Sequence, residues 1–195
     1  MPISEVTDRH AIRVAAPAEI TLPAAIECDL ADSAIVRAVF KGREAIFGSE
    51  VERPPAPRGL VAQVKSIGWG VLAEVPGREI VLGAVTRPWE ADVVFRAIPP
   101  GEFANFHEPG YAKIAWTLRA DPIAATGSIA RTETRVATTD PVARAKFRRY
   151  WSLVSPGILL IRWAMLRLVK KEAERRFRAG LSPEPARRGR LTRAR

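Results

Sequence analysis

The stretch TTDPVARAKFRRYWSLVSPGILLIRWAMLRL, residues 138–168, decides the fold. Upstream of it the apolar residues recur every second position, as in strands. From Asp140 onward they recur at steps of three and four: Phe147, Tyr150 or Trp151, Val154, Ile158, Ile161, Met165 and Leu168. Asp140 has the side chain of a helix cap, and Pro141 suits the first helical position, where its missing N–H costs nothing. A long amphipathic helix is therefore expected to close the chain. Pro156 should bend it, because its ring opposes the carbonyl of Ser152.

Working back from that helix, residues 126–138 and 111–119 read as strands, with further strands near 102–106 and 93–98. The short links Pro99-Pro100-Gly101 and Glu108-Pro109-Gly110 imply antiparallel neighbours. Gly68-Trp69-Gly70 leads into a strand over 71–75, Pro76-Gly77 turns the chain, and 78–86 returns it as a hairpin. The run of Pro54, Pro55 and Pro57 within 48–59 reads as an exposed loop, a candidate lid. Residues 9–15 alternate as a half-buried first strand with His10, Ile12 and Val14 on one side. Two short helices follow. One covers 18–28, with Pro23 set to kink or split it. The other covers 32–40, with Asp32 or Ser33 as its cap and Ile35, Val36, Val39 and Phe40 as its buried face.

Composition bounds what such a chain does. It has 195 residues, 47% apolar and 27% charged, enough for one domain with its own core. Cys28 is the single cysteine, which excludes an intrachain disulfide and any multi-cysteine zinc site and fits a reducing compartment. It reads as a small buried hydrophobe. No positive segment followed by an apolar run opens the sequence, so the expected location is cytoplasmic. Arg162 and Arg167 interrupt the most apolar stretch, which is too short to span a bilayer.

The formal charge is +10, and residues 178–195, with six arginines and one glutamate, carry half of it. That segment has few large apolar groups and reads as a disordered basic tail after a domain spanning 1–177. It suits weak contact with an anionic membrane, together with the basic face around Arg167, Lys170, Lys171, Arg175 and Arg176. Nucleic-acid binding by the tail would be nonspecific, since no reading helix accompanies it. Phosphate-binding loops, dinucleotide fingerprints, nucleophile elbows and zinc-protease motifs are all missing. No cofactor and no metal are implied.

The element order of a strand, two helices, a run of antiparallel strands and one long terminal helix gives an α+β architecture. The helix laid across one sheet face leaves space beside it. The order resembles the START-like helix-grip fold of the SRPBCC superfamily over roughly residues 8–177. Local phrases support the likeness: Ala11-Ile12-Arg13-Val14-Ala15-Ala16-Pro17-Ala18-Glu19, Gly77-Arg78-Glu79-Ile80-Val81-Leu82-Gly83, Thr132-Glu133-Thr134-Arg135-Val136 before Asp140, and Phe147-Arg148-Arg149-Tyr150-Trp151. The resemblance implies a curved sheet gripping the terminal helix and enclosing a small apolar ligand. The superfamily includes lipid carriers, polyketide cyclases, hormone receptors and oxygenase domains, so the resemblance selects no chemistry.

Within that frame, Trp116, Ile114 and Leu118 share one strand face and are candidates to line a cavity, with Trp151, Phe106, Trp69 and Phe103 as further aromatic candidates. Glu133 and Arg135 also share a face. Pointing outward they form a solvated ladder, and pointing inward they anchor a polar ligand group. Glu79 poses the same question. Two functions follow: a carrier of a lipid, polyketide or isoprenoid-like molecule, or a cyclase or dehydratase with Glu79 or Glu133 as acid or base and Arg135 polarising a carbonyl. A third is a membrane-surface module acting through the tail. His107 reads as structural, and Arg144, Arg148 and Arg149 as a solvated helix face.

Overall fold

The computed structural model describes residues 4–29 and 57–180, together with Ser33, Ile35, Arg37, Ala38, Lys41 and Gly42. Strand β1 (Val6–Val14) leads through Pro17 into helix α1 (Ala18–Glu27), then come helix α2 (Leu60–Ser66) and the hairpin β2 (Gly70–Val75) and β3 (Glu79–Thr86). The chain continues through β4 (Phe95–Arg96), one turn of helix α3 (Pro100–Phe103), the long hairpin β5 (Ala112–Ala124) and β6 (Gly127–Thr138), and helix α4 (Pro141–Arg178). The sheet runs β1-β6-β5-β3-β2 with β4 beside β3, and every pairing is antiparallel. This is the α+β helix-grip architecture: an open curved antiparallel sheet with the terminal helix across one face.

The expected strands over 71–75, 78–86, 111–119 and 126–138 are present, and β5 runs further than anticipated. Residues 102–106 do not form a strand. Pro99 sets the extended entry and Pro100 occupies the first helical position, so the backbone turns as α3 instead. Only Phe95 and Arg96 of 93–98 pair with β3. Helix α1 accommodates Pro23 without splitting, and α4 is one element through Pro156. Helix α2 was not expected; it follows directly on the loop read over 48–59, in a stretch to which the sequence reading assigns no element. Its Leu60 and Val61 are buried, while Gly59 enters it at φ +92°. Between 33 and 42 the described residues other than Ser33 are helical, but Ile35 is exposed rather than core. Asp32, Val36, Val39, Phe40, residues 48–56 of the loop and 181–195 of the tail lie outside the described residues. Arg178, assigned to the tail, ends α4.

Two apolar clusters sit on the inner face. The larger joins α1, α2 and the second half of α4 to the sheet through Leu22, Leu60, Leu82, Leu118, Met165 and Val169. The smaller gathers Ala112, Val136 and Phe147, with Ile114, Trp89, Tyr150 and Trp151 packed against it. Polar contacts clamp α4 at both ends. At its start Asp140 accepts from Ala143 N (2.9 Å), and Arg144 pairs with Glu5 (2.9 Å). Near its end Glu174 accepts from Ala15 N (3.0 Å), Lys170 donates to Arg13 O (2.9 Å), and Arg176 pairs with Glu27 (2.8 Å).

Gly68 takes φ +104°, and a Cβ there would lie 2.2 Å from the Phe95 carbonyl oxygen, a backbone atom that cannot swing aside. Gly68→Ala is expected to cost about 1–3 kcal/mol, read as a lower midpoint in thermal unfolding. Hydrogen bonds from Arg175 and then Arg176, acting against burial, hold the Glu172 carboxyl down at about 2. A carboxylate depressed in the folded state adds stability above its unfolded value of 4.5, and that stability is lost as pH falls towards 2. Glu172→Gln should therefore remove about 1 kcal/mol at neutral pH, after allowance for solvent screening, and flatten the stability profile between those limits in denaturant titrations.

Candidate functional site

Directly opposed residues in an antiparallel sheet face the same side, so the registers assign every side chain to a face. One inner row runs Asp8–Thr134–Trp116–Leu82, and the next runs His10–Thr132–Leu118–Ile80. Apolar rows flank them, Val6–Val136–Ile114–Ala84 on one side and Ile12–Ala130–Ala120 on the other. The inner face thus carries a polar patch between its two apolar clusters.

The patch is tightly connected. Trp116 Nε1 donates to Thr132 Oγ1 at 2.7 Å, and His10 Nε2 lies 2.7 Å from Asp8 Oδ1. From above, α4 sends down Arg162, whose Nη2 donates to Thr134 Oγ1 at 2.6 Å while its guanidinium covers the Trp116 ring at 4.9 Å. Burial pushes the Arg162 guanidinium down to about 10, against the opposing pull of the Asp8 charge. Asp8 Oδ2 is buried without a hydrogen-bond partner among the described residues. Trp69 meets Trp116 edge to face at 6.4 Å and fixes its other side.

Above this patch α4 is loosely packed. Phe147 is buried at one end and Ala164, Met165 and Leu166 at the other, but every residue from 148 to 163 keeps part of its surface exposed, Arg162 among them although its guanidinium reaches the sheet. Val154, Ile158 and Ile161 continue the stripe set by Phe147 and Met165, so they face the sheet, yet they are only half-buried. The helix–sheet interface here has half-buried apolar helix side chains above, buried Thr132, Thr134 and Trp116 below, and a carboxylate, an imidazole and a guanidinium between them.

Trp116, Leu118 and Ile114 all lie on the inner face. Trp151 stacks on Phe147 at 5.8 Å and packs against the smaller cluster. Phe106 is elsewhere. It packs on Tyr111 at 5.7 Å and lines an open pocket of about 560 Å³ with Arg96, Ile98, Glu102, His107 and Glu108, sharing no residue with the inner-face patch. Phe103 is buried and Trp69 packs on the larger core.

Glu79, Glu133 and Arg135 lie on the opposite, outer face, which corrects the inward option for all three. Their register partners there are Arg119, Arg9 with Thr117, and Thr7 with Ala115. Glu133 accepts from Arg9 at 2.9 Å and from Arg135, and Glu79 meets Arg119 at 3.4 Å. Burial alone would raise the Glu133 carboxyl, but the hydrogen bonds from Arg9 and Arg135 outweigh it and hold it below the ordinary range. That is the reverse of what a proton donor needs.

The residues that do meet between α4 and the inner face, Asp8, His10, Thr132, Thr134 and Arg162, were not candidates. The signal for His10 was its place in the buried register of β1, which extends far enough to include Asp8. Arg162 announced itself as a charge one turn before Met165 in an apolar stripe. Among the described residues no group of three His, Cys, Asp or Glu side chains gathers to hold a metal ion. Cys28 is buried, and burial first, then Asp29, pushes its thiol up to about 12.

No family model and no curated protein matches the chain. Among solved structures, it is similar to the ZhuI aromatase/cyclase from Streptomyces sp. R1128, at 18% identity over 90% of this chain and 97% of that one, with a TM-score of 0.31. A conserved protein from Geobacillus kaustophilus matches at 14% identity, 88% and 97% coverage and a TM-score of 0.38. The di-domain aromatase/cyclase BexL of the BE-7585A biosynthetic pathway matches at 16% identity over 88% of this chain and 47% of that one, with a TM-score of 0.32.

Proposed function

We propose that the interface between α4 and the inner sheet face opens as a groove that binds a small, largely apolar molecule carrying one acidic or carbonyl oxygen, of lipid, polyketide or isoprenoid type. The observation that carries this reading is the unburied middle of α4 above the polar patch, between two buried ends. Half-buried Val154, Ile158 and Ile161 supply apolar surface whose covering by a ligand contributes about 25 cal/mol per Å². Arg162 and the threonine hydroxyls fix the orientation of the polar end.

A second reading is favoured by the Asp8–His10 contact. A carboxylate that holds one imidazole nitrogen orients the ring and leaves Nδ1 to meet a ligand proton, the arrangement of an oriented general base. On this reading the reaction is a proton abstraction of cyclase or dehydratase type, with Arg162 stabilising the oxygen that gains charge. Binding is common to both readings.

Native mass spectrometry of the full chain should reveal a co-purifying small molecule, and titration with anilinonaphthalene sulfonate supplies an apolar anionic probe. Ile158→Trp is expected to fill the groove and abolish probe uptake while stability stays within about 1 kcal/mol of the parent. Arg162→Met should weaken uptake roughly tenfold or more, the loss of a charge-assisted contact. Glu133→Ala, on the outer face, should leave uptake unchanged. Unaltered uptake in Ile158→Trp would refute the groove as the site. His10→Gln should keep uptake and lose turnover of a polyketide-type substrate if the second reading holds.

A further inference from the structure

The groove uses one face of α4, and the opposite face carries a surface of its own. Arg149, Leu153, Pro156, Leu160, Trp163, Arg167 and Lys171 recur at steps of three and four and form a single stripe. Its centre is apolar and open: Leu153 is 68% exposed, Leu160 50% and Trp163 48%, with Leu159 beside them. Cations close both ends, and Arg167 sits 3.7 Å over the Trp163 ring, which joins the aromatic group to the charge. Between 141 and 171 there is no aspartate or glutamate.

We propose that this outer face of α4 docks in the headgroup layer of an anionic lipid bilayer. An apolar centre with Trp at its edge and cations at both ends matches the interface, where the leucines reach the acyl boundary and the cations meet lipid phosphates. The charge argues against other occupants. A second copy would bring the same all-cationic face against this one, and the arginines of residues 187–195 carry the same sign. Helix α4 is long and apolar enough, by length and composition alone, to cross a membrane. Crossing would strip Phe147, Met165 and Val169 from the core and Arg162 from Thr134, so the docking is parallel to the surface. The inference stands apart from the groove, since none of its residues lines that site.

The test is co-sedimentation of the full chain with phosphatidylcholine vesicles prepared with and without phosphatidylglycerol. Binding is expected to the anionic vesicles alone and to weaken with salt, by about fivefold for each cation removed from the stripe. L153E/L160E, both solvent-facing, should lose binding about tenfold or more while retaining probe uptake in the groove. Brominated lipid should quench tryptophan emission, with most of the quenching gone in W163F. Three results overturn the proposal: equal binding to uncharged vesicles; undiminished binding by L153E/L160E, including the case where removal of 181–195 abolishes it; or no vesicle binding together with a dimer in light scattering that L153E/L160E splits.

Discussion

A helix of 38 residues is a stiff rod about 57 Å long, and here it is tied to a curved sheet at both ends. Asp140 and the Glu5–Arg144 pair fix its start, while Lys170, Glu174 and Arg176 fix its last turns to the end of β1, the residue after it and α1. Between Phe147 and Ala164 no helix residue is fully buried, and there the inner face changes from apolar to polar. The middle of the helix is held in place by its ends, so its own packing need not be complete.

Most of this was legible because the periods were clean. The hairpins announced themselves through Pro76-Gly77 and the alternation of 126–138, and α4 through the change of period at Asp140. The faces were harder to read. Alternation establishes that Glu133 shares a side with Arg131 and Arg135, but not which side is inside, and the usual discriminator is hydrophobicity. On β6 the opposing set is Thr132 and Thr134, so both faces are polar at this point and the discriminator fails. It fails there because the inner face carries Asp8, His10, Thr132 and Thr134, polar side chains where core is expected. The register with β1 and β5 resolves the ambiguity, since Trp116 and Leu118 pair with the threonines and Thr117 with Glu133. Residues 102–106 were misread for a different reason: the strand pattern was present, but Pro100 had already started a helical turn.

Charge is sorted between the faces in a way that the total of +10 conceals. On the outer face Arg9, Arg119, Arg131 and Arg135 surround Glu79, Asp121 and Glu133. For Asp121, as for Glu133, burial would raise the carboxyl, and arginine hydrogen bonds reverse the effect. Asp121 and Glu133 are thus held as anions, and the pairs stabilise the sheet modestly, as exposed pairs do.

On the inner face the balance is incomplete. Asp8 contacts His10 through one oxygen and leaves the other without a partner among the described residues, while Arg162 donates to a neutral hydroxyl and is pushed down by burial. Asp8 is close enough to act on Arg162, but the two do not close into an ion pair. A fold built only for stability would join them or replace both with apolar groups of similar volume, since an unpaired charge partly withdrawn from water costs more than a well-packed hydrophobe. Keeping them apart retains two groups of opposite demand, one needing a donor and the other an acceptor, with Trp116 between Arg162 and the sheet. For the ligand class proposed above, an oxygen offered to the guanidinium and a proton offered to the Asp8–His10 pair would satisfy both at once, whereas a plain hydrocarbon would satisfy neither. On that reading, selection for a polar-tipped ligand over a fully apolar one would lie in the energy of this patch.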